Sequence, residues 1–265
     1  MIDVHQAMLA FGHGTPNYTP VLRGLSMNIA QGEFVTVIGS NGAGKSTLLN
    51  AIAGDSALDD GAIFIDGQDM TGVPPHLRAR SVARVFQDPM AGTCAALSIE
   101  ENMAIALRRS SGRSLRASLG NDQRALFRKE LANLGLGLEQ RLGDRIGLLS
   151  GGQRQAISLL MAALAPSRVL LLDEHTAALD PKASELVLSL TDRLVKALKL
   201  TALMITHSMR DALAYGDRIV MLHRGRVIFD ASGEAKRALS VNDLLDRFAQ
   251  LGGGQGTDDD RLLLT

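Results

Sequence analysis

Gly39-Ser40-Asn41-Gly42-Ala43-Gly44-Lys45-Ser46 follows the spacing G-x-x-x-x-G-K-[ST], between an apolar run at residues 34–38 and a helix-forming segment at residues 47–53. In that context the chemistry is phosphate binding. Glycines let successive backbone N–H groups turn inward around phosphate oxygens at a helix start, Lys45 can reach the β and γ phosphates, and the Ser46 hydroxyl can ligate Mg²⁺. Thr47 closes the candidate cradle. A glycine-rich turn that merely reverses the chain does not account for Lys45 and Ser46 together.

Two carboxylates end a second apolar run, Val169-Leu170-Leu171-Leu172-Asp173-Glu174. Parallel sheets bind ligands just outside the carboxyl ends of their strands, so both acids are expected to face a nucleotide. Asp173 suits a Mg²⁺-holding position. Glu174 suits a general base that polarises the attacking water, provided it comes within hydrogen-bond reach. Upstream, Ser150 precedes a helical run through Ala156, Ile157, Leu160, Met161 and Leu164. A serine can cap such a helix, and the N–H groups of Gly151 and Gly152, exposed at its positive end, would form a second phosphate site.

Leu149-Ser150-Gly151-Gly152-Gln153 resembles the LSGGQ signature of ABC ATPases, and further positions match that family one at a time. The resemblance implies that Gln87, in Val85-Phe86-Gln87-Asp88, is the Q-loop glutamine that touches Mg²⁺ and the water. It implies that Asp180, in Ala178-Leu179-Asp180, is the D-loop residue that crosses a dimer interface. His207, after the apolar run 202–206, matches the switch histidine that contacts the γ-phosphate. Family members stack the adenine on an aromatic residue ahead of the phosphate loop, a place that Phe11 or Tyr18 could fill. His175 departs from the family, in which proline usually follows the catalytic glutamate. It is either a pH-sensitive neighbour of Glu174 or a capping or surface residue. Residues 175–180 are similar to those of bacterial importer-type ATPases that accompany permeases of the branched-chain amino acid type.

The resemblance further implies ATP and Mg²⁺ as ligands and a head-to-tail pair of copies, each ATP held by Lys45 of one and Ser150 of the other. The partners it implies are a transmembrane permease and an extracytoplasmic substrate-binding protein. The expected role is ATP hydrolysis that powers uptake of a small solute such as an amino acid, from the cytoplasmic face of the membrane. Two alternatives are the ATPase of a split exporter and a soluble ABC ATPase outside transport. The second lacks the long coiled-coil insertion or duplicated cassette of such proteins.

These residues must be positioned by an α/β fold, since strand-like runs at 34–38, 169–172, 202–206 and 219–222 alternate with helical patterns. After Pro181, Leu186, Val187, Leu190, Leu194 and Val195 share one helix face. The resemblance implies a P-loop NTPase (RecA-like) core with an antiparallel β subdomain and an inserted α-helical subdomain. The ATPase domain is expected over residues 1–230, with the helical part at about 89–165 and a C-terminal helix and flexible tail at 231–265.

Composition narrows the partners. Lysines plus arginines equal aspartates plus glutamates, 28 each, so no net positive field holds a nucleic acid backbone. No run approaches the roughly 18–20 apolar residues of a membrane span, and no secretory signal precedes the first strand, which predicts a soluble, cytosolic chain. The lone Cys94 reads as a small packed residue. Arg108, Arg109, Arg113 and Arg116 form a locally basic patch, either a solvated face or a contact for anionic headgroups.

Overall fold

The computed structural model describes residues 1–109 and 119–251. Arg113 and Arg116 of the basic patch and the expected flexible tail beyond Leu251 lie outside the described residues. The chain divides into two compact units, Met1–Arg78 together with the segment from Lys199 onward, and Ala79–Leu198. The first unit opens with β1 (Ile2–Phe11), β2 (Thr19–Ile29), β3 (Phe34–Gly39), α1 (Lys45–Ala53), β4 (Asp60–Ile65), β5 (Gln68–Asp69) and α2 (Pro75–Arg78). The second contains β6 (Val82–Val85), α3 (Ile99–Leu107), α4 (Asn121–Ala132), α5 (Gly151–Leu164), β7 (Val169–Asp173) and α6 (Pro181–Leu198). The first unit resumes with β8 (Thr201–Ile205), α7 (Met209–Ala214), β9 (Arg218–His223), β10 (Arg226–Ser232), α8 (Gly233–Arg237) and α9 (Val241–Leu251).

In the first unit β2, β1, β4 and β5 form the expected antiparallel sheet, in that order. The strand that feeds the phosphate loop, β3, is buried along its whole length and pairs in parallel with β8 on one side and β9 on the other. Burial on both faces explains its largely apolar composition. Its one polar side chain, Thr36, donates to Ala212 O at 3.0 Å and so leaves no unpaired hydroxyl in the core. α9 lays Leu244, Leu245 and Phe248 on a core containing Met209, Ile219 and Met221. Full burial of Leu244 stabilises that docking by about 2 kcal/mol.

Two buried cations organise loops of this unit. Arg78, 2% exposed, donates from Nη1 to Ala51 O (2.7 Å) and Ile52 O (2.9 Å), from Nε to Val73 O (2.8 Å) and from Nη2 to Thr71 O (3.0 Å). It therefore adds a donor to the carbonyls of the last turn of α1, where Ala51 O also accepts from Gly54 N at 3.2 Å. Gly54, the left-handed cap of α1 (φ 88°), makes this possible, because a Cβ there would lie 2.8 Å from Arg78 Nε. Lys236 donates from Nζ to Tyr215 O and, at 2.7 Å, to Gly216 O, and burial pushes its ammonium down to about 8.

In the second unit β6 and β7 are parallel neighbours, Val82 beside Val169 through Val85 beside Leu172. Between them lie helices and 3₁₀ turns, with one isolated bridge, Ser98 to Arg145, among the described residues. α3 starts at a capping box in which Ser98 and Glu101 satisfy each other's backbone N–H groups. Along α6 the expected face is buried at Val187, Leu190 and Val195. Two sequence readings need correction. Arg109 is not part of a solvated patch: its Nη2 donates to Ala162 O (3.1 Å) and Ser167 Oγ (2.5 Å) at the end of α5. Cys94 is exposed, since its loop is held by Asn102 through the backbone and not by packing of the thiol.

Candidate functional site

The nucleotide-binding half in the first unit grows from the end of β3. Gly42 and Gly44 adopt positive φ (75° and 99°), which lets the chain curl before α1 starts at Lys45. The Lys45 side chain is buried, and Nζ folds back to donate to Gly39 O at 2.7 Å and Ser40 O at 3.1 Å. Asn41, Gly42 and Ser46 are exposed at the mouth of the loop, whereas Ala43 packs inward and Thr47 is half-buried. Because β3 and β8 run in parallel with Val37 beside Ile205, their carboxyl ends share one edge, and His207 stands two residues beyond β8. Ser208 then caps α7, accepting from Asp211 N at 3.1 Å, which fixes the chain direction after the half-buried His207.

Both aromatic candidates lie at the loop end of the β1–β2 hairpin, Phe11 closing β1 and Tyr18 just before β2. Phe11 is 50% exposed and Tyr18 55% exposed. The Tyr18 ring meets His13 edge-on at 5.5 Å, and His13 Nε2 in turn lies 3.1 Å from Asp59 Oδ1. Tyr18 is thus committed within its own loop, while Phe11 sits on a ladder position opposite Thr19.

In the second unit, the parallel register of β6 and β7 brings Gln87, just beyond β6, to the same edge as Asp173 and Glu174. Gln87 is exposed, and Asp173 and Glu174 are half-buried. Arg84 Nη2 donates to Asp173 Oδ2 at 2.7 Å, and its guanidinium lies 4.7 Å from the centre of the Phe86 ring. Glu174 has φ 45°, a left-handed conformation that costs a residue with a Cβ about 1–3 kcal/mol and persists only where the surroundings impose it. Its carbonyl accepts from Ala177 N at 2.9 Å, and Leu179 N donates to Thr176 O at 3.1 Å, so the link to α6 is a chain of turns. Asp180 starts α6 by accepting from Ala183 N at 3.0 Å.

His175 corrects both readings offered by the sequence. It is 1% exposed, neither a surface residue nor a helix cap, and its Nε2 lies 3.0 Å from Thr191 Oγ1. Burial pushes its imidazole down to about 4, so the ring is neutral near pH 7 rather than poised to titrate there.

The signature segment begins α5 with a reciprocal cap. Ser150 Oγ accepts from Gln153 N at 3.3 Å, and Gln153 Oε1 accepts from Ser150 N at 3.2 Å. Since Ser150 Oγ accepts here, its own proton is left to donate to a phosphate oxygen. Gly151 is half-buried and Gly152 is buried, a more enclosed setting than two exposed amides. A Cβ on Gly152 would lie 2.7 Å from Ala183 Cβ, so this glycine also permits the close approach of α5 to α6. One tie escaped sequence reasoning: Gln155 Nε2, fully buried, donates to Phe86 O at 3.0 Å and joins α5 to the base of the Gln87 segment.

In the second unit Gln87 and Asp173 offer a neutral and an anionic oxygen, the kind of donor a hard divalent cation prefers, and Ser46 of the first unit carries a hydroxyl of the same kind. One carboxylate supplemented by phosphate oxygens and water is the usual protein contribution to Mg²⁺. The ion pair made by Arg84 shows that Asp173 already attracts a cation. Among the described residues no cluster of three or more His, Cys, Asp or Glu side chains could hold a different, protein-caged metal.

A phosphate loop after a central parallel strand, combined with a serine-capped helix start downstream, defines a P-loop NTPase of the ATP-binding-cassette class. Residues 22–177 match the family model described as ABC transporter. The chain is 44% identical over 236 residues to a tyrosine transport ATP-binding protein of Clostridioides difficile, spanning 89% of this chain and 93% of that one. It is 34% identical over 229 residues to a spermidine/putrescine import ATP-binding protein of Legionella pneumophila, spanning 86% of this chain and 58% of that longer protein. Among solved structures, a dimeric, post-hydrolysis form of the ATP-binding cassette MJ0796 bound to ADP and phosphate superposes with a TM-score of 0.75. That match has 26% identity and covers 88% of this chain and 98% of the other. The chain belongs to the ABC transporter family, and it binds and hydrolyses ATP. Among the described residues no helix is long and apolar enough to cross a membrane.

Proposed function

We propose that two copies of the chain close head to tail on ATP, and that closing and reopening drive amino acid uptake through a separate permease with an extracytoplasmic binding protein. The observation that carries this reading is the capped start of α5: a second phosphate-binding element, with the Ser150 hydroxyl proton available, in a chain that also carries Lys45. The dimeric form of the MJ0796 cassette supports the pairing, and the tyrosine transport relative supports an amino acid as the solute.

In this reading Lys45 leaves the carbonyls of Gly39 and Ser40 for the β and γ phosphates, a charge-assisted exchange that favours the nucleotide. The N–H groups from Gly39 through Thr47 cradle the same phosphates, and Phe11 stacks on the adenine. Ser46, Gln87 and Asp173 hold Mg²⁺, which neutralises charge on the phosphates. Glu174 polarises the attacking water, and His207 contacts the γ-phosphate from the end of β8. Ser150, Gly151, Gly152 and Gln153 of one copy contact the ATP bound by the other, with Asp180 crossing between them. Loss of the γ-phosphate removes the contacts of Ser150 and His207 and releases the pair. The chain then works at the cytoplasmic face of the membrane, held there by its permease.

The test is ATP-dependent pairing and turnover. Glu174→Gln should bind ATP, accumulate as a dimer, and hydrolyse at least about 100-fold more slowly than the wild type. Ser150→Ala should bind ATP yet fail to pair. Uptake of labelled amino acids into vesicles holding the chain and its permease tests the transport arm. Wild-type turnover by strictly monomeric protein would refute the closing mechanism.

A further inference from the structure

The residue directly after Glu174 sends its side chain into the core of the second unit. His175 and Thr191 are both 1% exposed, with Nε2 and Oγ1 3.0 Å apart. Thr191 donates its only hydroxyl proton to Val187 O at 2.8 Å, within α6. Its oxygen must therefore accept from the ring, which places the imidazole proton on Nε2. The segment from Glu174 to Asp180 is otherwise built from local turns, Ala177 N to Glu174 O and Leu179 N to Thr176 O. The His175 bond ties that segment to the interior of α6, one residue from the left-handed backbone of Glu174.

We propose that His175 is a positioning residue for Glu174, the His175–Thr191 hydrogen bond holding the backbone turn that aims the Glu174 carboxylate. The proposal rests on the reading of Glu174 as the general base. A left-handed residue with a Cβ tends to relax toward the common right-handed or extended regions, and relaxation here would swing the carboxylate away from its task. A buried side chain fixed by a directed bond at the next residue opposes that rotation. An apolar residue of similar size would fill the space without a directed bond to Thr191.

The experiment uses the full chain in excess over ATP, so that a single turnover is followed beside equilibrium ATP affinity. Thr191→Val keeps the side-chain volume and removes the acceptor, whereas Thr191→Ser restores it. Thr191→Val should slow single-turnover hydrolysis about tenfold with ATP affinity unchanged within about twofold, and Thr191→Ser should stay within about twofold of wild type, a partial loss of a general base worth about 10²–10⁴. On a Glu174→Gln background Thr191→Val should slow the reaction no further. His175→Asn, whose amide can still donate, should retain more activity than His175→Leu, which gives a second route if Thr191→Val does not fold. The proposal is overturned if Thr191→Val turns over at the wild-type rate, if rate and affinity fall together, or if its effect adds to that of Glu174→Gln. Unchanged hydrolysis in Glu174→Gln alone would instead remove the general-base reading on which the proposal stands.

Discussion

Arg84 Nη2 donates to Asp173 Oδ2 at 2.7 Å, an ion pair between adjacent parallel strands in which each side chain is largely buried. It couples the last residue of β7 to the strand that leads to Gln87. Removing the guanidinium takes this ion pair away from a half-buried carboxylate, a loss of about 2 kcal/mol. Arg84→Met should therefore be about that much less stable than wild type in urea unfolding with a chelator present. Mg²⁺ with ATP should shrink the deficit if Asp173 holds the cation as proposed, and an equal deficit in both conditions would count against that role.

Adenine stacking separates the two exposed aromatics. Loss of a base-stacking ring costs about 1–3 kcal/mol, so Phe11→Ala should weaken ATP binding roughly tenfold. Tyr18, already edge-on to His13, should tolerate the same change within about twofold. Titration with a fluorescent ATP analogue reads both, and the reverse ranking would transfer the assignment to Tyr18.

Arg78 serves four carbonyls from a buried position, and methionine there would remove all four of those bonds, Ala51 O keeping a second donor in Gly54 N. Arg78→Met should lose at least about 3 kcal/mol of unfolding free energy. Arg78→Lys should recover only a fraction, because an ammonium lacks the planar fork that reaches Ala51, Ile52, Val73 and Thr71 together. Chemical denaturation of both variants decides the point.

Lys236 gives a pH dependence of definite sign. Its folded value, about 8, is below the usual 10.5 because burial penalises the ammonium. Between those values the unfolded chain binds more protons than the folded one, so this group's contribution to stability rises with pH from about 8 to 10.5. The neutral amine still has two hydrogens for the carbonyls of Tyr215 and Gly216. Relative to Lys236→Met, the wild type should gain stability between pH 7.5 and pH 9.5, roughly the window these values define. A difference that stays flat or falls across the window would show that the ammonium itself is needed.

The legible parts of this site were those in which chemistry and chain path coincide locally. The phosphate loop could be read because Lys45 and its glycines occupy one strand-to-helix turn, and Ser150 because a cap and its helix are contiguous in sequence. The α/β alternation was readable from periodicity for the same reason, whereas the antiparallel sheet and the helical stretch were expected from the family resemblance. What escaped was set by distant partners. Arg84 meets Asp173 across 89 residues of sequence, Gln155 meets Phe86 across 69, and nothing near His175 announces Thr191. Arg109 looked solvated because a charge beside other charges is usually exposed, yet its partners come from the far end of α5. A lone charge inside an apolar strand, as at Arg84, is the kind of signal that asks for a hidden counter-charge.

The guanidinium of Arg78 also anchors one end of α1 and leaves the other to the phosphate loop. With the rear of α1 clamped to Thr71 and Val73 through one rigid plane, the helix behaves as a fixed post. At its opposite end Gly42 and Gly44, both at positive φ, carry the chain into the first turn. A change at the phosphates therefore meets two glycines, residues with few steric limits on their dihedrals, before it meets the anchored body of the helix.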